Sequence, residues 1–179
     1  AELAQIKGSE LPFKDADLPS RIGELLKMGH VWVQQVSQVE KSRAPLPPFT
    51  TASLQQATAQ LLGLSPERTM TLAQRLYEAG WITYVRTDGV TVAPEAQAAA
   101  RALIAREHGA AYVPAAPPIY TAKALHAQEA HEAIRPTDVE RLPREVDGDS
   151  AALYRLIWRR FIASQMTPAR YQRIGAQIQ

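Results

Sequence analysis

Apolar side chains recur at helical spacing through most of the chain between residues 49 and 166. Capping and breaking residues bound these stretches. The clearest are the start signal Ser65-Pro66-Glu67 and the glycine stop at Gly63. The pattern predicts helices over residues 51–62, 66–79, 94–108, 124–134 and 150–165, and a further short helix over residues 17–27.

The two ends of the chain have a pattern that is typical of strands instead. Residues 1–8, 30–40 and 171–179 are each predicted to form a strand, and a proline-rich connector follows at residues 42–48. A short alternating strand is also predicted at residues 81–87. This order predicts a mainly α fold with a small β part, in which a helical domain is inserted between strands of a β domain. We expect the three terminal strands to lie together in one small sheet.

Composition narrows the class of protein. The chain has 179 residues, 46% of them hydrophobic, which is enough for a core, and it has no cysteine. A disulfide scaffold, a cysteine zinc site and a cysteine nucleophile are therefore excluded. No apolar run approaches the length of a membrane span, and we expect no signal peptide. The first residue is Ala1 rather than methionine, so we expect a piece of a longer protein.

The net charge of +2 and the isoelectric point near 9.0 permit a nucleic-acid partner without requiring one. Residues 51–88 have the order helix, glycine turn, capped helix and short strand, which resembles a helix-turn-helix with a wing. Such units place a helix against DNA. Ordinary packing of two short helices is the alternative, because this arrangement occurs in most helical domains.

Tyr84 and Arg86 are two residues apart on the predicted strand, so their side chains are expected on the same face. A free phenol has a pKa near 10, and a neighbouring guanidinium favours the phenolate and can clamp a phosphate. The pair therefore suits nucleophilic attack on a phosphodiester. The alternative is an ordinary strand tyrosine beside a solvated arginine.

The sequence QEAHEAIRPTD places His131, Glu132 and Arg135 in one turn of a predicted helix. The zinc motif HExxH is absent, because no second histidine follows at the required spacing. His131 and Arg135 are four residues apart and would share a helical face, where they could present two donors to a phosphate. A surface ion pair between Glu132 and Arg135 is the alternative.

Four ordered blocks extend these observations over residues 47–171. They read PPFTTASLQQATAQLLG, RTMTLAQRLYEAGWITYVRTDG, AQEAHEAIRPTD and LYRLIWRRFIASQMTPARY. Together they resemble the middle of a bacterial type IA DNA topoisomerase. The resemblance implies a helical, winged-helix-like domain at residues 47–167, inserted into a partial β arch domain made of residues 1–46 and 168–179.

The same resemblance implies roles for individual residues. Tyr84 would attack the DNA backbone and become linked to the 5′ phosphate, Arg86 would contact the scissile phosphate, and His131 would support catalysis. Further motif positions near the site imply DNA contacts from Arg86, Arg135, Gln74, Thr83 and Asp88. One departure is visible, because Gly89 stands where the family pattern usually has serine.

The resemblance also implies parts that these 179 residues do not contain. The family's Mg²⁺ is bound by a separate Toprim domain, so we expect Mg²⁺ in the full enzyme and no cofactor in this fragment. The expected partners are DNA, mainly single-stranded, and the remaining domains of the same polypeptide, with no membrane. The location that the resemblance implies is the bacterial cytoplasm, in association with the nucleoid. Two other interpretations stay open at this point: a non-catalytic winged-helix DNA-binding module and a purely structural helical insert.

Overall fold

The computed structural model describes residues 33–121 and 131–178, together with residues 5, 6, 9, 10, 20, 23, 24, 27 and 29. Its helices are α1 (Thr51–Leu62), α2 (Pro66–Glu78), α3 (Pro94–His108) and α4 (Ala151–Ser164). Its strands are β1 (Gln5–Ile6), β2 (Ser9–Glu10), β3 (Val33–Arg43) and β4 (Ala169–Ile178). Three short 3₁₀ turns lie at Ala110–Tyr112, Pro143–Glu145 and Gly148–Ser150. The predicted mainly α composition with a small β part is confirmed.

The ends of α1 and α2 follow from local capping. Thr50 caps α1 through a reciprocal pair of hydrogen bonds with Ser53, and Gly63 ends the helix in the left-handed conformation at φ 65°. Ser65 then accepts a hydrogen bond from the Arg68 N–H, and Pro66 occupies the first helical position of α2. The turn between the two helices is therefore set by the chain's own short-range chemistry.

The core consists of two apolar clusters that meet at α4. The first lies under α1 and α2 and contains Phe49, Leu54, Leu72, Leu76, Ile82, Ile134, Leu153, Tyr154 and Ile157. The second lies under α3 and contains Val92, Ala100, Leu103, Ile104, Phe161 and Ile162. Trp158 of α4 packs against both clusters. Helix α4 therefore connects the core under α1 and α2 with the core under α3.

The strands pair differently from the prediction. β1 pairs with β2 in a short antiparallel hairpin, and β3 pairs with β4 in a separate two-stranded sheet. The single sheet expected from the three terminal segments is therefore wrong for the described residues. β1 pairs with a strand only a few residues further along the chain. Closing this short loop costs much less entropy than pairing with β3 would.

The chain divides into two compact units. One contains Ala1–Lys41 and Tyr171–Gln179, and the other contains Ser42–Arg170. All of β3 is solvent-exposed, including Val33, Val36 and Val39. The assignment of residues 1–46 and 168–179 to a β arch domain stays a prediction.

Two of the predicted helices fall partly on residues that the structure does not describe. In the segment predicted as a helix over residues 17–27, the described residues 20, 23, 24 and 27 are helical. Of the helix predicted over residues 124–134, residues 124–130 lie outside the described part of the chain. The remaining residues of that segment belong to the candidate site below.

Tyr154 is a buried side chain whose contribution to the stability of the first core cluster can be measured. Its ring is fully buried, and its hydroxyl donates to the Arg141 carbonyl oxygen at 2.7 Å. Burial raises the pKa of Tyr154 from 10 to about 12. The folded protein therefore favours the neutral phenol. The contribution of this group to the free energy of unfolding is complete below pH 10 and is lost as the pH rises through 12, by about 3 kcal/mol in all.

We therefore expect Tyr154→Phe to lower the free energy of unfolding by about 1 kcal/mol at pH 7, because the Arg141 carbonyl loses its donor. The variant should also lose less stability than the parent between pH 10 and 12. Urea unfolding followed by circular dichroism at several pH values measures both effects. Tyr112→Phe, at an exposed position, is the control, and an equal effect in that variant would contradict the assignment.

Candidate active site

The segment between α2 and α3 alternates between exposed and buried side chains. Tyr84, Arg86 and Asp88 are exposed, and half of the Tyr84 surface is open to solvent. The residues that alternate with them are buried: Val85, Thr87 and Gly89. The segment therefore presents the phenol and the guanidinium to solvent, as the two-residue pattern predicts.

The segment is nevertheless not the strand predicted over residues 81–87. Its strand-like pairing is limited to one bridge between Ile82 and Pro136. No continuous ladder forms here among the described residues, because neighbouring backbone groups bond to threonine hydroxyls instead. The alternation of side chains survives because the core still takes every second residue.

Thr51, the first residue of α1, holds the buried side of the segment. Its N–H donates to the Thr87 carbonyl oxygen at 2.9 Å, and its hydroxyl donates to the Val85 carbonyl oxygen at 2.7 Å. The same hydroxyl oxygen accepts the Thr87 N–H at 2.9 Å. An N–H group of the first helical turn, which has no partner within the helix, is thereby used to anchor the residues that flank Arg86.

Thr83 makes the equivalent connection on the other side of Tyr84. Its hydroxyl donates to the Ala133 carbonyl oxygen at 2.7 Å and accepts the Arg135 N–H at 3.0 Å. Its own N–H donates to the Arg135 carbonyl oxygen at 2.9 Å. The structure thus gives Thr83, predicted as a DNA contact, three hydrogen bonds to the backbone around residue 134.

The backbone that Thr83 holds is not helical, so the helix predicted over residues 124–134 is wrong for its described residues, 131–134. The Ala133 N–H donates to the Thr91 carbonyl oxygen at 2.9 Å, and the Ile134 N–H donates to the Phe49 carbonyl oxygen at 2.8 Å. Donors that a helix would use internally are therefore bound to two other segments. Ile134 is completely buried by this arrangement.

Because residues 131–135 are not helical, His131 and Arg135 do not share a helical face, and that prediction was wrong. His131 is exposed, and its Nδ1 lies 3.9 Å from Oδ1 of Asp88. Arg135 is largely covered, with 11% of its side chain exposed, and its guanidinium donates to both carboxylate oxygens of Glu132 at 2.9 and 3.1 Å. The predicted alternative, a pairing of Glu132 with Arg135, is present, but the pair is largely covered and is not a surface ion pair.

Glu132 also ties this pair to the start of α3. Its Oε1 accepts the Ala93 N–H at 2.7 Å, at the residue before the first helical position. Gln74, the remaining predicted site residue, lies on α2 and donates to Glu78 one turn further along at 2.9 Å. The contacts described for Gln74 do not connect it to Tyr84 or His131.

Neither a metal-binding cluster nor a membrane-spanning helix occurs in the described part of the chain. No group of three or more histidine, aspartate or glutamate side chains is arranged there to hold a metal ion. Among the same residues, no helix has the length and apolar character needed to cross a bilayer.

The sequence of the whole chain matches one protein family. The family model described as DNA topoisomerase matches residues 2–179. The chain belongs to this DNA topoisomerase family. The exposed tyrosine and its neighbours therefore lie in a chain of topoisomerase ancestry.

Individual relatives agree with the family assignment. The chain is 51% identical over 153 residues to DNA topoisomerase 1 of Zymomonas mobilis, a match that covers 86% of this topoisomerase chain and 12% of the relative. It is 40% identical over 173 residues to DNA topoisomerase 1 of Haemophilus influenzae, covering 95% of the chain and 20% of the relative. The chain thus spans about an eighth to a fifth of the length of these relatives.

A solved structure shows the same fold. Full-length topoisomerase I from Thermotoga maritima superimposes with a TM-score of 0.74 and 35% identity, over 96% of this chain and 28% of that one. The arrangement of helices and strands therefore corresponds to part of a known topoisomerase structure.

One neighbour of Tyr84 was missed by the sequence reasoning. The ring of Tyr77, on α2, lies edge-on to the Tyr84 ring with 5.4 Å between centroids, and 39% of Tyr77 is exposed. Such edge-to-face pairs favour a defined ring orientation. A tyrosine at a position of α2 that is not part of its buried stripe was the available signal, but its contact with Tyr84 depends on the tertiary fold.

Thr83→Val tests whether the threonine hydroxyl joins the two segments of the site. Valine keeps the shape of threonine but leaves the Ala133 carbonyl oxygen and the Arg135 N–H without this partner, so we expect a loss of about 1–3 kcal/mol in the free energy of unfolding. Thr71→Val, at an exposed position whose hydroxyl bonds only within α2, should cost less than about 0.5 kcal/mol. Equal losses in urea unfolding would show that the Thr83 contact carries no special weight.

Proposed function

We propose that this chain is the tyrosine-bearing part of a type IA DNA topoisomerase. The complete enzyme would relax negatively supercoiled DNA by cutting one strand, passing another strand through the gap and resealing the cut. The observation that carries this proposal is the exposed Tyr84, anchored through Thr83 and Thr51 beside the exposed Arg86.

In the proposed cleavage step, the Tyr84 oxygen attacks the phosphorus of a single-stranded segment. The bond between phosphorus and the 3′ oxygen breaks, the 3′ oxygen takes up a proton, and the phenol loses one. The products are a 5′-phosphotyrosine and a free 3′ hydroxyl. Because one phosphodiester replaces another, the reverse attack by the 3′ hydroxyl reseals the strand without ATP.

Arg86 is the cation that we assign to the phosphate. Among the described residues, its guanidinium has no acidic partner, whereas the guanidinium of Arg135 is occupied by Glu132. A free planar guanidinium can donate two parallel hydrogen bonds to phosphate oxygens and stabilise charge that develops during the transfer. His131 would supply a further donor from the neighbouring segment, beside Asp88.

We propose different roles for the other residues that were predicted to contact DNA. Asp88, next to His131, would act within the site. Thr83 and Arg135 would hold the site from the buried side, while Gln74 would face DNA from α2. The turn between α1 and α2 supports a winged-helix-like domain, which we propose is inserted into the β arch.

Mg²⁺ would assist the complete enzyme by stabilising phosphate charge when bound. The described residues do not fit an Mg²⁺ site, since their acids are not grouped and Asp88 faces His131. We therefore assign the ion to the Toprim domain, outside this chain.

Variants of the complete polypeptide test these roles when they are ranked by how much covalent adduct with DNA each one forms and how fast. Tyr84→Phe should abolish adducts while leaving single-stranded DNA binding within about twofold, because it removes one oxygen and keeps the ring contact with Tyr77. Arg86→Ala should slow cleavage by about 100-fold or more, as expected for the loss of a donor at a developing charge. Arg86→Lys should recover only part of the rate, and His131→Ala should be intermediate.

Adducts are trapped with denaturant and counted on a gel with labelled oligonucleotides. Adducts formed by Tyr84→Phe would assign the nucleophile to another residue. A parent that binds DNA but forms no adduct would favour a non-catalytic winged-helix binding module. Arg75→Ala, at an exposed position on α2, is the matched control for loss of an arginine outside the site.

The isolated 179-residue chain should not relax negatively supercoiled plasmid, with or without Mg²⁺. Positioned acid–base groups and metal ions each lower such barriers by several kcal/mol, and the proposal assigns the metal to another domain. Agarose gel electrophoresis of treated plasmid measures relaxation. Relaxation that is lost in Tyr84→Phe would show that the proposed division between domains is wrong.

A further inference from the structure

The phenol ring of Tyr84 has one aromatic neighbour among the described residues, and that neighbour is Tyr77. The angle between the two ring planes is 69°, and their centroids are 5.4 Å apart. Half of the Tyr84 surface is open to solvent, and none of the hydrogen bonds found in the described part of the chain involves its hydroxyl. The contact with Tyr77 is therefore what this part of the structure offers to fix the direction of the phenol.

The backbone of Tyr77 is fixed by the way in which α2 ends. The Trp81 N–H donates to the Leu76 carbonyl oxygen at 2.8 Å, and the Gly80 N–H donates to the Tyr77 carbonyl oxygen at 2.9 Å. These two bonds, with Gly80 at φ 73°, form the Schellman motif that ends many helices. The motif reverses the chain, which then passes the Tyr77 ring again at Tyr84.

Buried neighbours hold the backbone of both tyrosines. Leu76 precedes Tyr77 and Val85 follows Tyr84, and both of these apolar side chains are buried in the first core cluster. Thr83 adds its hydrogen bonds on the other side of Tyr84. Because the backbone is held at each position, the two rings can move relative to each other mainly by rotation of their side chains.

The contact between the rings matters because rotation moves the attacking oxygen. A change between two staggered χ1 rotamers turns the ring of a tyrosine by about 120°. A misplacement of only about 1 Å in a reacting group costs up to about 100-fold in rate. An edge-to-face pair favours one arrangement of two rings by roughly 2- to 12-fold. Losing the pair should therefore reduce the fraction of Tyr84 side chains in the productive orientation by up to about that factor.

We propose that Tyr77 is a positioning residue, whose ring holds the phenol of Tyr84 in the orientation for attack on the phosphorus. This inference rests on the proposed function of Tyr84 as the nucleophile. Tyr77 acts through its ring, so its own hydroxyl is not required. A stacking surface for a DNA base is the alternative role, because 39% of Tyr77 is exposed.

Two variants of the complete polypeptide separate the ring of Tyr77 from its hydroxyl. Tyr77→Leu should slow adduct formation by about 3- to 10-fold at saturating oligonucleotide, because leucine keeps the apolar bulk and the helix propensity but not the ring. Tyr77→Phe keeps the ring and should form adducts within about twofold of the parental rate. A parental rate in Tyr77→Leu, or equal slowing in both variants, would overturn the proposal.

The affinity for DNA separates positioning from direct contact. A residue that orients Tyr84 acts on the bound strand, so the Kd of Tyr77→Leu for single-stranded DNA should stay within about twofold of the parent. A base stacked on Tyr77 would instead give a Kd about fivefold or more higher in this variant, with an unchanged rate at saturation. Fluorescence anisotropy with a labelled oligonucleotide measures the Kd, and the second result would overturn the positioning role.

Tyr112→Leu is the matched control for loss of an exposed tyrosine. Tyr112 is 53% exposed, and its ring lies beside that of His108 and not beside Tyr84. We expect the parental rate of adduct formation, and slowing equal to that of Tyr77→Leu would overturn the proposal. Should circular dichroism show that Tyr77→Leu does not fold, Tyr77→Gln takes its place, because glutamine also favours a helix and suits a partly exposed position.

The same gels distinguish failure of this role from failure of the proposed function. If Tyr84→Phe still forms adducts, another residue is the nucleophile, and the proposed function fails together with the positioning role. If adducts depend on Tyr84 but Tyr77→Leu forms them at the parental rate, only the positioning role is overturned.

Discussion

The candidate site depends on how the buried backbone of residues 83–87 satisfies its hydrogen bonds. No neighbouring strand runs along this segment among the described residues, yet polar groups that leave water need partners. Thr51 and Thr83 provide them through their hydroxyl groups, and the first N–H of α1 contributes a further one. With the inner side held in this way, Tyr84 and Arg86 are left on the solvent side.

The same contacts couple the site to the core. Ile134 and Ile82 are fully buried in the first apolar cluster, and both belong to segments that carry site residues. Phe49, which pairs with Ile134, belongs to the same cluster. The backbone on which His131 lies is therefore part of the structure that stabilises the helical unit, and a packing defect there would also displace the imidazole.

Some arginine side chains are held by contacts within the protein, whereas another is exposed and available to a phosphate. Arg135 is largely covered and paired with Glu132, so removing either partner would leave a poorly solvated charge, which is costly. Arg160 is likewise held inside, where it donates to the Pro47 carbonyl oxygen and lies over the Phe49 ring, and burial lowers its pKa. Arg86 remains exposed on the side of Tyr84. This division explains why only some arginines of the four sequence blocks suit a phosphate.

The sequence by itself determined the features that depend on short-range chemistry. The bounds predicted for α3, residues 94–108, agree with the structure, and so does the start of α2 at Pro66, because caps and helix stops act within a few residues. The outward alternation of Tyr84 and Arg86 was also predictable from the two-residue pattern. Only the tertiary structure decided the rest. Residues 131–136 are not helical because distant segments take their hydrogen bonds, and the hydrogen bond between Thr83 and Ala133 joins residues 50 positions apart, a distance over which local propensity carries no information.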